Sequence, residues 1–196
     1  MKKKLLVAVL SIALVFAVTG CSFKKATNND YVAPNSNKAH ENSKVKTKCS
    51  VLDCIKKLSA SSTVEDIDKV VGIKGELTTD SSYKVYTWTF SDKEKLTATY
   101  YSSGSANIEA TYIKDNVKNR KVTFSKYSEI QAALKSSTSL TYDEFKQKVG
   151  GVEGTLVYIS SSSNKYVWVS TTGEYLTATF SNTTNKCTFV LGQIRK

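Results

Sequence analysis

The stretch Glu94-Lys95-Leu96-Thr97-Ala98-Thr99-Tyr100 returns 80 residues later as Glu174-Tyr175-Leu176-Thr177-Ala178-Thr179-Phe180. The preceding Tyr86-Thr87-Trp88 returns at the same offset as Tyr166-Val167-Trp168. One supersecondary unit has been built twice, and whatever this chain folds into must be assembled from two copies of it.

Within each copy the hydrophobic period changes once, from near 3.6 to 2. Each begins with a short apolar helix, Val51 to Leu58 and Ser128 to Lys135, followed by a second helix with strong end signals. Thr141 with Glu144 has capping-box spacing, with Leu140 and Phe145 placed as a hydrophobic staple; Thr63 with Asp66, and Ser62 with Glu65, do the same work in the first copy. Val71-Gly72 and Val149-Gly150 stop these helices. The alternation then predicts strands over 75–79, 83–90, 95–101 and 107–113, and over 154–160, 165–170, 175–181 and 186–193. Short polar turns between them imply antiparallel meanders. The expected fold is α+β: two tandem repeats, 49–116 and 117–196, each a helix-loop-helix packed on one face of a four-stranded antiparallel sheet.

Hairpin parity decides which side chains that packing buries. If Thr172-Gly173 is a two-residue turn, Trp168 falls opposite Thr177, and Val167 and Val169 share the helical face with Leu176, Ala178 and Phe180. The same arithmetic around Asp92-Lys93 groups Tyr86, Trp88 and Phe90 with Thr97 and Thr99. On this reading Tyr86, Trp88, Phe90, Tyr166 and Trp168 stand on an open face and are the candidate partner-binding residues. A three- or five-residue turn reverses the assignment and makes both tryptophans core residues.

The first residues carry a different kind of signal. Lys2, Lys3 and Lys4 precede an apolar run, Leu5 to Val18, that is short for a bilayer span and has the layout of a secretory signal peptide over 1–20. It ends in Val18-Thr19-Gly20-Cys21, which resembles the lipobox of bacterial lipoproteins. That resemblance implies cleavage before Cys21, lipidation of its thiol with palmitate-type acyl chains, and anchorage on the extracytoplasmic side of a cell membrane. Residues 21–48, rich in Asn, Ser and Lys, cannot bury enough apolar surface to fold and read as a tether reaching on the order of 30 Å.

Of the 28 Lys and Arg residues three lie in the leader, leaving 25 against 17 acidic residues. Half of that excess lies in 22–48, with six lysines against Asp30 and Glu41; in 49–196 the basic residues are scattered among serines and threonines, which argues against a nucleic-acid partner. The one histidine, His40, lies in the tether, so the folded region has no imidazole base, and no Cys-x-x-Cys spacing suggests zinc. No catalytic residue, metal or cofactor is expected. Cys49, Cys54 and Cys187 remain after Cys21, allowing at most one internal pair; Cys54 reads as a buried thiol, and a bridge from Cys187 to Cys49 or Cys54 is the alternative.

Two helices followed by a four-stranded antiparallel sheet, repeated in tandem, resemble the fold of beta-lactamase inhibitory protein and the small outer-membrane assembly lipoproteins of the SmpA/OmlA type. The signature stands here as Thr63-Val64-Glu65-Asp66-Ile67 through Val71-Gly72, and as Thr141-Tyr142-Asp143-Glu144-Phe145 through Val149-Gly150. The resemblance implies a non-enzymatic module that binds an envelope or secreted protein through its sheet faces. Inhibition of an exported beta-lactamase or other hydrolase, and an envelope-assembly or wall-associated scaffold, are the alternatives it implies.

Overall fold

The structure, a computed structural model, describes residues 46–135 and 139–194. The expected signal peptide over 1–20, Cys21 and nearly all of the expected tether lie outside the described residues.

Helix formation follows the local signals. α1 (Val51–Ile55) starts at Ser50, whose hydroxyl accepts from the Asp53 N–H. α2 (Val64–Val71) is opened by a complete capping box between Thr63 and Asp66, and it stops at Gly72 in the left-handed conformation, φ 88°. α3 (Tyr127–Lys135) and α4 (Tyr142–Lys148) form the second pair, and Thr141 with Glu144 makes the second complete box. Each box satisfies helix N-terminal donors reciprocally, a device contained within four residues and therefore independent of the rest of the fold.

Eight strands follow the pattern read from the alternation, each end shifted by no more than a residue or two: β1 (Glu76–Asp80), β2 (Tyr83–Ser91), β3 (Glu94–Tyr101), β4 (Ala106–Thr111), β5 (Thr155–Ile159), β6 (Ser163–Val169), β7 (Tyr175–Ser181) and β8 (Cys187–Gln193). Their assembly differs from the expectation. The strands form one eight-stranded antiparallel sheet in chain order, not a four-stranded sheet in each repeat. β4 and β5, the last strand of one copy and the first of the next, pair through Ile108↔Ile159 and Glu109↔Tyr158. Joining there removes two exposed strand edges that separate sheets would have left with unpaired backbone groups. Beyond those two pairs, Lys118 takes a place beside Val169 in a short parallel bridge. The segment reaching it includes a 3₁₀ turn, Lys114–Val117, and packs on β6.

The helices cover one face. Around Trp88 the core contains Val51, Ile55, Ile67, Val71, Leu96 and Ile108; around Trp168 it contains Ile130, Phe145, Val149, Leu176 and Phe180. Each indole withdraws roughly 150–250 Å² from water, worth about 4–6 kcal/mol at area rates. Cys49 and Cys54 form a disulfide that ties the approach to α1 to its second turn. The open question of pairing is thereby resolved against a free Cys54 and against any bridge from Cys187, which is a buried thiol on β8.

Candidate functional site

The parity expectation is overturned in both copies. Trp88 is 0% exposed and Trp168 1%, beneath the helical layer. Tyr86 and Tyr166 are half-buried on the same side, and Phe90 is half-buried against the first core. The aromatic set therefore does not form an open face.

One additional residue in each hairpin explains the reversal. In the second copy the Ser170 N–H donates to the Glu174 carbonyl, so the loop is Thr171-Thr172-Gly173, with Gly173 at φ 84°. A three-residue loop closed by a left-handed glycine sets Trp168 opposite Leu176 instead of Thr177. In the first copy the two-residue turn Asp92-Lys93 is retained, but the register slips between Thr89 and Ser91, and this bulge at Phe90 sets Trp88 opposite Leu96. Gly173 was the readable signal for the first of these; the bulge left none.

With parity reversed, the face turned away from the helices presents a different set. One register row crosses the whole sheet: Glu76↔Thr87, Thr87↔Thr97, Thr97↔Glu109, Glu109↔Tyr158, Tyr158↔Lys165, Lys165↔Thr179 and Thr179↔Phe189. Facing residues share a side, so these eight side chains, one per strand, lie in line. Next to the row, Tyr83 pairs with Tyr101 at 6.2 Å between ring centroids, and the Asn107 amide donates to the Tyr101 hydroxyl. Phe189 is 57% and Leu191 56% exposed on the edge strand; Tyr83 and Tyr101 exceed 40%. At one corner the face is covered: Val167 and Val169 are buried there with Tyr112, Val117 and Tyr175, and the Lys114 ammonium lies 3.8 Å above the Tyr175 ring.

Glu109 and Lys165 offset each other at the middle of the row, and Glu76 adds one negative charge at the β1 edge. Lys165 lies 3.9 Å from Glu109 and 5.0 Å from the centre of the Tyr158 ring. Burial, with Tyr101 and Glu109 nearby, pushes the Tyr158 hydroxyl above its ordinary range, so it stays a neutral donor. Threonine hydroxyls, neutral phenols and a compensated ion pair suit hydrogen bonding and aromatic contact with a partner surface. The row contains no thiol or imidazole to serve as a nucleophile or base. Among the described residues no group of His, Cys, Asp and Glu side chains is arranged to hold a metal ion, and no helix is long and apolar enough to cross a membrane.

Tyr83, Tyr101, Tyr158, Phe189 and Leu191 were not singled out from sequence; Cys21 lies outside the described residues. No family model, curated protein or solved structure matches the chain.

Proposed function

We propose that this chain is a lipid-anchored, extracytoplasmic, non-enzymatic binding module whose contact surface for an envelope or secreted protein is the uncovered face of its sheet. The observation that carries the reading is the eight-residue row from Glu76 to Phe189, flanked by exposed Tyr83, Tyr101 and Leu191. Tyrosine and phenylalanine are enriched at protein interfaces, because rigid rings bring contact area with little rotamer entropy. The Cys49–Cys54 bridge is in keeping with an oxidising compartment outside the cytoplasm, as is the lipobox-like Val18-Thr19-Gly20-Cys21.

Site-specific photo-crosslinking in intact cells tests the surface. A crosslinker at Thr97 or Tyr101 is expected to trap a discrete envelope protein, while one at Lys69 on α2 traps none. Equal adducts from both positions, or none from the sheet, would remove the assignment. Palmitate labelling lost in a Cys21→Ser variant tests the anchor separately.

A further inference from the structure

The two edges of the eight-stranded sheet are built differently. β1 is short, carries Glu76 and Asp80, and is interrupted by a register shift between Leu77 and Thr79. Charge and a bulge are the devices that keep an edge strand from pairing with another chain. β8 is longer, and from Cys187 to Gln193 it has no charged side chain. Phe189 and Leu191 are more than half exposed on it, and its one register shift lies at Thr188, close to its start.

Only the start of the β8 edge is covered. The Cys187 N–H donates to the Leu140 carbonyl, the Tyr142 N–H donates to the Asn185 carbonyl, and Thr141 bridges Lys186. Beyond Cys187, among the described residues, no strand lies outside β8. Bonded and non-bonded positions alternate along an antiparallel ladder. The Ser181 N–H donates to the Lys186 carbonyl, so the odd-numbered residues of β7 face β8, and their partners Phe189, Leu191 and Gln193 direct their backbone groups to β7. Val190 and Gly192 therefore turn their N–H and C=O groups outward, at the spacing an added antiparallel strand matches.

We propose that β8 is a self-recognition edge, and that two copies of this chain pair their eighth strands antiparallel about a two-fold axis at Leu191. The stretch left free runs from Thr188 to Gln193, and pairing about Leu191 fits within it. Val190 of each copy then exchanges hydrogen bonds with Gly192 of the other, Leu191 meets Leu191 across the axis, and Phe189 lies beside Gln193. Centring on Val190 would instead set Gln193 opposite Cys187, where Leu140 already lies. No like charges oppose each other in this register. The head-to-tail alternative, β8 on β1 of the next copy, meets the bulged and acidic edge and leaves an open chain. A two-fold axis perpendicular to the sheet puts both helical layers on one side. Lys48, bonded to the end of α2, then lies on that side in both copies, as the anchorage proposed above requires of two chains in one membrane. An edge this short buries less than a standard interface, so the dimer is weak and reversible.

Sedimentation velocity on the detergent-solubilised full chain should show a concentration-dependent dimer. Leu191→Lys sets two ammonium groups face to face at an exposed position and should weaken that dimer about tenfold or more. This loss separates strand pairing from two chains sharing a micelle. Leu191→Cys tests the register: with Cys49 and Cys54 bridged and Cys187 buried, mild oxidation should link two copies through the new thiol. Leu77→Cys, on the β1 edge, should not link. A monomer at every concentration, a dimer unaffected by Leu191→Lys, or equal linkage from Leu191→Cys and Leu77→Cys would overturn the proposal. Thr97 and Tyr101, the crosslinking positions for the open face, lie on β3, five strands from β8, so each reading can fail alone.

Discussion

The indole of Trp88 lies over the backbone of Gly75: a Cβ built on that glycine would sit 2.5 Å from Cε2 of the ring. Gly154 stands in the same relation to Trp168, also at 2.5 Å from the ring. Each copy thus places a glycine just ahead of its first strand, where a tryptophan from the second strand closes down on it. Since a real Cβ essentially never approaches so closely, Gly75→Ala and Gly154→Ala should each destabilise the fold by about 1–3 kcal/mol through overpacking. Urea unfolding with a common slope checks this; Gly104→Ala, which meets no neighbour within 4 Å but sits at φ 80°, measures separately the cost of a left-handed backbone without overpacking.

The two tryptophans are anchored by different acceptors, and this predicts unequal sensitivity to mutation. Trp88 Nε1 donates to Asp68 Oδ1 at 2.7 Å, and the Gly75 N–H donates to the same oxygen at 2.9 Å. In the second copy Trp168 Nε1 donates to the Val152 carbonyl, beyond the reach of side-chain substitution. Asp68→Ala leaves two donors without their acceptor and should cost about 2 kcal/mol. Thermal or urea unfolding of Asp68→Ala beside Lys146→Ala, the corresponding α4 position, should show the larger loss in the first variant.

Both indoles should report a dry environment. Steady-state emission of the folded protein is expected well to the blue of indole in water, with little quenching by iodide until the chain unfolds. Emission typical of solvated indole in the native state would contradict the reversed hairpin parity.

Acid should weaken the fold over a defined window. Hydrogen bonds from the Thr63 and Thr141 backbone N–H groups, then from their hydroxyls, hold the Asp66 and Glu144 carboxyls below 3.8 and 4.5 respectively. Lys146, then Tyr142, does the same for Glu153. A depressed folded pKa means that the stabilisation is fully present above the unfolded value and is lost as pH falls through the folded one. The melting temperature should therefore decline between about pH 5 and 3, and the decline should be shallower in Asp66→Asn, Glu144→Gln.

The cysteines should behave as two classes. Closing a loop this short contributes about 2 kcal/mol in the chain-entropy account, so Cys49→Ser, Cys54→Ser should lower stability by that order. The Cys187 thiol is buried, and burial raises its pKa to about 11, so it should resist maleimide until unfolding. Mass spectrometry after labelling with and without denaturant distinguishes them.

What was legible in the sequence is whatever a few neighbouring residues settle among themselves. The capping boxes at Thr63–Asp66 and Thr141–Glu144 and the glycine stop at Gly72 depend on residues no more than four apart, and the eight strands announce themselves by alternation. The set Leu176, Ala178 and Phe180 also reads correctly as core, because apolar residues at period two have only one favourable side. The candidate surface did not read correctly. Strand parity turns over with a single inserted residue, and the bulge at Phe90 and the third loop residue before Glu174 each supplied one.

Order and type of elements, helix ends and the duplicated unit were therefore determined by the sequence itself. The tertiary structure decided how the copies join, which cysteines pair, and which face remains uncovered. Ile108 meets Ile159 across an intervening helix pair. No local pattern encodes that contact: the two edges come side by side only once each half has folded, and pairing them then replaces two aggregation-prone edges with a continuous ladder.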